Sequence, residues 1–120
     1  KAYLPQRGTI TVTTSALPFS DNQFDVVSVI FSAHEIRNLH ERIRFFKELK
    51  RIVKPSGSIY VTEHLRDRAN LVAYSIGFFH FYSRNSWKQV FKCASLELVS
   101  ELKSTPFISI FQLKKHGDTL

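Results

Sequence analysis

The stretch that decides the fold runs from Phe24 to Val53, and its first eight residues are FDVVSVIF. Phe24–Phe31 is nearly continuous in apolar side chains, which suits a central strand of a parallel sheet with helices over both faces. Apolar residues then recur at intervals of three and four, at Ile36, Leu39, Ile43, Phe46, Leu49 and Val53. Charged residues lie between them, at Arg37, Glu41, Arg44, Glu48 and Arg51. This spacing predicts an amphipathic helix, and Pro55 followed by Gly57 predicts its end.

Strand signals lie on both sides of this helix. Ser58–Glu63 follows it and is rich in residues that favour strands. Strand, helix and strand in this order predict a crossover unit with parallel strands and a right-handed connection. Ahead of the unit, Thr9–Thr14 places Ile10 and Val12 on one face and predicts a further short strand.

Helices are predicted next in the chain. Asp67–Tyr82 is dense in aromatic residues and predicts a helix that breaks near Gly77. Ser86 is of the type that caps helices, which predicts a helix over Trp87–Ala94. Cys93 would lie on the buried face of that helix.

Two strands close the chain, Leu96–Lys103 and Phe107–Lys114. Their connection, Ser104-Thr105-Pro106, is short enough to allow only antiparallel pairing. The length of 120 residues suits one domain, so residues 1–120 are predicted to form a single α/β domain with a mixed sheet that ends in an antiparallel strand pair.

Composition excludes several classes of protein. The single cysteine rules out an internal disulfide, and its use suits a reducing compartment, so a cytoplasmic location is expected. There is no apolar run of about eighteen residues that could span a bilayer. Seventeen Lys and Arg against ten Asp and Glu give a formal charge of +7, which favours acidic or polyanionic partners.

Three segments carry a resemblance to a known family. The first is Leu17–Val27 (LPFSDNQFDVV), which looks like the loop and the fourth strand of that family's sheet. The second is Phe46–Gly57 (FKELKRIVKPSG), which looks like the helix that leads into its fifth strand. The third is the closing strand pair, which looks like the end of the same fold. In this order they resemble the C-terminal portion of a small-molecule class I S-adenosylmethionine-dependent methyltransferase. The resemblance implies a partial Rossmann-like fold, S-adenosylmethionine as cofactor and methyl transfer to a small molecule.

The resemblance also implies which residues surround the cofactor, since ligands of such sheets bind beyond the carboxyl ends of the strands. The loop before the LPF segment would lie on the adenine side and the residues after the Phe24–Phe31 strand on the methionine side. The positions are Thr14, Ser15, Ala16 and Leu17 for the adenine, and Phe31 and Ser32 for the methionine. His34 is the candidate catalytic residue, with a helix-entry histidine that bonds the backbone as the alternative.

Candidate substrate-binding residues follow the next strand. Glu63 and His64 end it, and His80 lies in the aromatic cluster Gly77–Tyr82, which is either core or a lid over an aromatic or apolar substrate. Glu35 is interpreted as a first-turn carboxylate that complements the helix dipole. No metal is expected, because no regular ligand spacing occurs among His34, His40, Glu63, His64 and His80.

The sequence departs from the family pattern in its glycines. Family members hold the cofactor with a glycine-rich turn after the first strand and an acidic residue ending the second. The glycines here form no Gly-x-Gly; they are Gly8, Gly57, Gly77 and Gly117. Thr13 and Ser56 also replace an acidic residue and a glycine of the family motifs. The resemblance therefore implies that the first two strands are absent and that this chain alone is an incomplete enzyme.

Loss of those strands would leave Phe24–Phe31 as an apolar, unpaired edge. Such edges recruit other strands, which predicts either self-association or pairing with a missing N-terminal half. A non-catalytic remnant or interaction domain is the first alternative function. A nucleic-acid module is the weaker one, because no known motif accompanies the cations of the helix region, Arg37, Arg42, Arg44, Lys47, Lys50, Arg51 and Lys54.

Overall fold

A computed structural model describes residues 7–115. Its helices and strands are β1 (Phe24–Ile30), α1 (Leu39–Ile52), β2 (Val53–Glu63), α2 (Arg68–Tyr74), α3 (Arg84–Cys93), β3 (Leu96–Thr105) and β4 (Ile108–Lys115). Short 3₁₀ turns cover Ala33–Glu35 and Ser75–His80. The strands form one sheet in the order β1-β2-β4-β3. β1 is parallel to β2 and the other pairs are antiparallel, which confirms the predicted mixed sheet.

The sheet and two helices enclose one core. Phe46, Leu49 and Ile52 of α1 pack with Trp87 and Phe91 of α3, together with the buried strand residues Val29, Val53, Ile59, Val61, Leu96, Phe111 and Leu113. Burial of these side chains is the main favourable term for the fold. Within residues 7–115, no helix is long and apolar enough to cross a membrane. The cytoplasmic location stays a prediction.

β1 lies at one edge of the sheet, where β2 is its partner among the described strands. Alternate residues of a strand face opposite sides; Val29 belongs to the core and Val27, on the same side, packs against it. On the other side Val26 is 58% and Ile30 is 60% exposed. The prediction that helices cover both faces of this strand is therefore wrong for the part of the chain that the structure describes. Pairing of this edge with another strand stays a prediction.

The helix α1 begins and ends where local chemistry requires it. The side chain of Asn38 accepts a hydrogen bond from the N–H of Glu41 at 2.9 Å, which caps the first turn. The helix ends at Ile52 because Lys54 precedes Pro55, and a residue before proline disfavours helical backbone. Pro55 and Gly57 then lie inside β2 rather than after a helix stop.

The start of β2 is irregular because a four-residue segment bulges from the ladder. Phe24 is paired with Val53 and Val26 with Ser58, so residues 54–57 have no regular partner on β1. At Gly57 the chain rejoins the β1–β2 ladder, and its backbone there lies close to Asp25 and Val53. A Cβ atom there would lie 2.6 Å from the carbonyl oxygen of Asp25 and 2.8 Å from Cγ2 of Val53.

Three predicted elements differ from the structure. Thr9–Thr14 forms no strand and contributes only an isolated bridge between Thr13 and Ala16, because no described strand lies beside it. The aromatic segment breaks at Ser75, whose φ is +50°, instead of near Gly77.

The third difference is the start of α3. Ser83, not Ser86, is its cap and accepts a hydrogen bond from the N–H of Ser86 at 3.2 Å. Cys93 is exposed, so its predicted burial is wrong. The buried stripe of the helix runs through Trp87, Val90 and Phe91 and continues to Ala94, and position 93 falls beside it.

The tight approach at Gly57 yields a prediction for stability. Substitution Gly57→Ala should destabilise the fold by about 1–3 kcal/mol, the usual cost of forcing a methyl group into a packed site. Urea unfolding followed by circular dichroism measures the difference. Gly77→Ala is the control, because its new Cβ would meet no atom nearer than 3.6 Å. Equal loss of stability in both variants would contradict the packing argument.

Candidate functional site

The candidate site lies where β1 and β2 end, since carboxyl ends of parallel strands meet at one edge. Glu63, the last residue of β2, is fully buried. Its Oε2 lies 2.7 Å from Nδ1 of His34, and its Oε1 accepts the backbone N–H of His34 at 3.3 Å. The two contacts fix both the backbone and the ring of His34.

Electrostatics at this pair follow from its burial. Burial raises the pKa of the Glu63 carboxyl, and the neighbouring His34 offsets part of that rise. With Nδ1 against Glu63, the other ring nitrogen of His34 points away from the core. Nε2 lies 3.0 Å from Oε1 of Glu35. His34 is thus positioned by Glu63 and presents Nε2 towards the surface.

Glu35 and His80 complete a polar cluster with His34. The same Oε1 of Glu35 lies 3.2 Å from Nε2 of His80, and the His34 and His80 rings meet edge to face at 5.1 Å. The hydrogen bond from His80 is the main cause that lowers the pKa of Glu35. The sequence interpretation of Glu35 as a helix-dipole charge missed this role; the only signal was its position beside His34.

Two arginines hold the aromatic segment against the site. Arg37 donates from Nη1 to the carbonyl oxygens of His34 and His80, at 3.1 and 3.0 Å. Arg66 donates to the carbonyl oxygens of Phe81 and Phe79, at 2.9 and 2.7 Å. Sequence reasoning assigned Arg37 to a basic helix face. Its guanidinium instead joins the turn after β1 to the turn after α2.

An aromatic wall adjoins the polar cluster. The ring of His64 stacks between Phe31 and Phe81, with centroids 4.9 and 5.1 Å away. Its Nδ1 lies 2.9 Å from the carbonyl oxygen of Phe107, which can only accept, so Nδ1 carries the proton. Phe31 has a φ of +49°. Such a conformation is rare for a bulky residue and concentrates at functional sites.

The predicted adenine-side loop lies against α1. Thr14 donates from Oγ1 to Glu41 at 2.7 Å, and the N–H of Leu17 donates to Glu48 at 2.9 Å. Ser15 and Ala16 are exposed. The structure therefore brings His34, Glu63, His64, His80 and Phe31 into one cluster, and it anchors Thr14 and Leu17 on the helix. Ser32, between Phe31 and His34, is exposed.

Arg51 of α1 fastens this loop. Its guanidinium donates to the carbonyl oxygens of Phe19 and Leu17 at 2.7 and 2.9 Å, and it pairs with Glu48 and Asp21. The pKa of Glu48 is lowered, chiefly by the hydrogen bond from Arg51, and this shows that the ionised pair is favoured.

The Arg51 contacts predict a local change in dynamics. Arg51→Ala should speed amide exchange at Leu17 and Phe19 by about tenfold, the ratio for about 1.4 kcal/mol of local stability. Hydrogen–deuterium exchange followed by mass spectrometry measures these exchange rates. Arg44→Ala, an exposed position of the same helix, is the control and should leave these amides unchanged. Unaltered exchange in Arg51→Ala would show that the loop is held by other contacts.

Comparison with known proteins identifies the family. A model of the methyltransferase domain matches residues 2–61. The chain belongs to the class I S-adenosylmethionine-dependent methyltransferases. The matched range contains the LPF loop, β1, α1 and most of β2, and the resemblance inferred from these motifs is confirmed.

Relatives and solved structures agree with this assignment. The methyltransferase chain is 28% identical over 72 residues to the ubiquinone/menaquinone biosynthesis C-methyltransferase UbiE of Pseudoalteromonas translucida, and the match covers 60% of this chain and 28% of that protein. An S-adenosylmethionine-dependent methyltransferase from Aquifex aeolicus has a TM-score of 0.71 at 17% identity, over 87% of this chain and 52% of that one. The cyclase SpnF has a TM-score of 0.69 at 17% identity, over 88% of this chain and 54% of its own. This chain therefore spans about half the length of these solved structures, and they establish the fold alone.

Proposed function

We propose that this methyltransferase chain supplies the substrate-facing part of a site that moves a methyl group from S-adenosylmethionine to a small aromatic molecule. The observation that carries the proposal is the buried Glu63, which holds His34 by ring and backbone. Nδ1 of this ring is fixed by Glu63, and Nε2, which contacts the exposed Glu35 carboxylate at 3.0 Å, becomes able to accept a proton once that carboxylate moves aside. The type of reaction, methyl transfer from S-adenosylmethionine, is inferred from the family to which the chain belongs.

The chemistry assigned to the chain is proton acceptance and positioning. When bound, S-adenosylmethionine supplies an electrophilic methyl group on a sulfonium sulfur. A substrate ring carbon that received this methyl group would have to lose its proton. In the proposal that proton passes to Nε2 of His34, while Nδ1 keeps its contact with Glu63. Orientation by the aromatic wall contributes most of the rate.

For the substrate we propose a reduced quinone-type ring with an apolar tail. The UbiE relative is named for C-methylation in quinone biosynthesis. In this proposal the exposed ring of Phe31, which is stacked on His64, offers an aromatic face to such a ring. Exposed apolar side chains suited to a tail follow in α2 and the next turn; they are Leu71, Val72, Ile76 and Phe79.

Cofactor contacts are proposed at the positions that the resemblance implies. Phe31 and Ser32 adjoin His34 and would face the methionine part. Thr14, Ser15, Ala16 and Leu17 would line the adenine from the loop on α1. Their fit to the cofactor is partial, because the sequence has no Gly-x-Gly turn to approach it closely. We therefore expect binding by this chain to be weaker than in a methyltransferase that has the glycine turn.

Methyl transfer is tested with labelled S-adenosylmethionine and a reduced demethylated quinone. The chain should transfer label, and His34→Gln should lower the rate by about 10²–10⁴-fold, the usual contribution of a positioned base. Calorimetric titration should show the same cofactor affinity in both. His40→Gln, an exposed histidine of α1, is the matched control. Circular dichroism confirms the fold of each variant. Unchanged transfer by His34→Gln would contradict the role of His34.

A non-catalytic methyltransferase-like domain is the second candidate for residues 1–120, which contain no Gly-x-Gly turn. A chain that neither binds the cofactor nor transfers label in these assays would establish that alternative and overturn the first. The nucleic-acid alternative is less favoured. Arg42 is buried, and Arg51 and Lys54 are paired with carboxylates.

A further inference from the structure

The proposed base His34 and the two polar side chains beside it, Glu35 and His80, have the geometry of a metal site. The ligating atoms, Nε2 of His34, Oε1 of Glu35 and Nε2 of His80, lie within 4.8 Å of one another. Two of the separations are 3.0 Å and 3.2 Å, both to the Glu35 oxygen. Ligands of a tetrahedral Zn²⁺ at bond lengths of about 2.0–2.2 Å stand roughly 3.3 Å apart. An ion could therefore enter after small side-chain rotations.

We propose that His34, Glu35 and His80 form a binding site for a divalent transition-metal ion of the Zn²⁺ type. Two imidazole nitrogens and one carboxylate oxygen suit Zn²⁺ better than Mg²⁺ or Ca²⁺, which prefer oxygen ligands. Three protein ligands leave a fourth position open to water or to a substrate oxygen. The proposal concerns metal binding by this chain and does not depend on methyl transfer.

The surroundings of the three ligands support an ion rather than a chance contact. Glu63 contacts Nδ1 of His34 at 2.7 Å, and a carboxylate behind a ligating histidine orients the ring and raises its basicity. Arg37 holds the backbone of both His34 and His80. The single positive charge of Arg37 is outnumbered by the carboxylates of Glu35 and Glu63. The cluster therefore keeps a net negative charge that attracts a divalent cation.

A bound ion would join two parts of the fold. His34 and Glu35 belong to the turn after β1, whereas His80 ends the turn after α2. The segment between α2 and His80 is exposed except at Phe78, which is half-buried, so a metal at His80 would restrain it. The ion would also occupy the Nε2 lone pair of His34. Metal binding and proton acceptance by His34 are therefore mutually exclusive.

Sequence patterns did not indicate this site. The histidines and carboxylate considered for a metal site matched no regular spacing, and Glu35 was not among them. Forty-five residues separate Glu35 from His80. Only the packing of the two turns brings them together.

The test uses Co²⁺, whose visible absorption reports ligand number and geometry. The chain carrying Cys93→Ser, to exclude the exposed thiol, is titrated with Co²⁺ and then with Zn²⁺. We expect a saturable one-site absorption band of low coordination number that Zn²⁺ abolishes. Glu35→Gln and His80→Ala should each weaken binding at least tenfold. Glu63→Gln, which acts only through His34, should weaken it by about 10–100-fold.

His40→Ala is the matched control and should bind as the parent does. Glu35 and His80 are exposed side chains, so their loss should leave the fold intact, as circular dichroism will show. In a second measurement, Zn²⁺ should slow amide exchange in Ser75–His80, and His80→Ala should abolish that effect. Failure to bind Co²⁺, or equal binding by Glu35→Gln, His80→Ala and the parent, would overturn the proposal. Neither result depends on cofactor or methyl transfer.

Discussion

The contact between the buried carboxylate of Glu63 and the imidazole of His34 is the constraint on which the site depends. An isolated carboxylate in the core is costly, and the cost falls when a partner donates hydrogen bonds to it. Glu63 obtains two such bonds from a single residue, one from its ring and one from its backbone. The turn after β1 is thereby fastened to the end of β2, and the direction of His34 Nε2 follows from it.

Other polar contacts extend this arrangement outward. Arg37 and Arg66 hold carbonyl oxygens of the segment Phe79–Phe81, and Arg51 holds those of the loop before β1. Each guanidinium satisfies backbone acceptors that no helix or strand pairs. These arginines therefore serve internal structure. A net charge of +7 by itself suggested an external partner, which the contacts of these residues do not require.

The polar cluster and the aromatic wall form two adjacent surfaces with different chemistry. His34, Glu35 and His80 present nitrogen and oxygen atoms, whereas Phe31, His64 and Phe81 form a stack of rings. His64 belongs to the wall because its Nδ1 proton is bound to a carbonyl oxygen. Two neighbouring histidines of the site thus differ in role through their hydrogen-bond partners, a carboxylate for one and a backbone carbonyl for the other.

The sequence by itself determined the fold class, the parallel β1–α1–β2 unit, the antiparallel closing pair and the family. These depend on local periodicity and short connections, which a sequence displays directly. It also proposed His34, Glu63, His64 and His80 as residues of one site; these side chains lie together in the structure, and their roles stay predictions. Only the tertiary structure decided that Glu63 lies behind His34, that Glu35 joins it to His80, and that Cys93 is exposed. Such contacts arise between segments distant in the chain, and no local pattern records them.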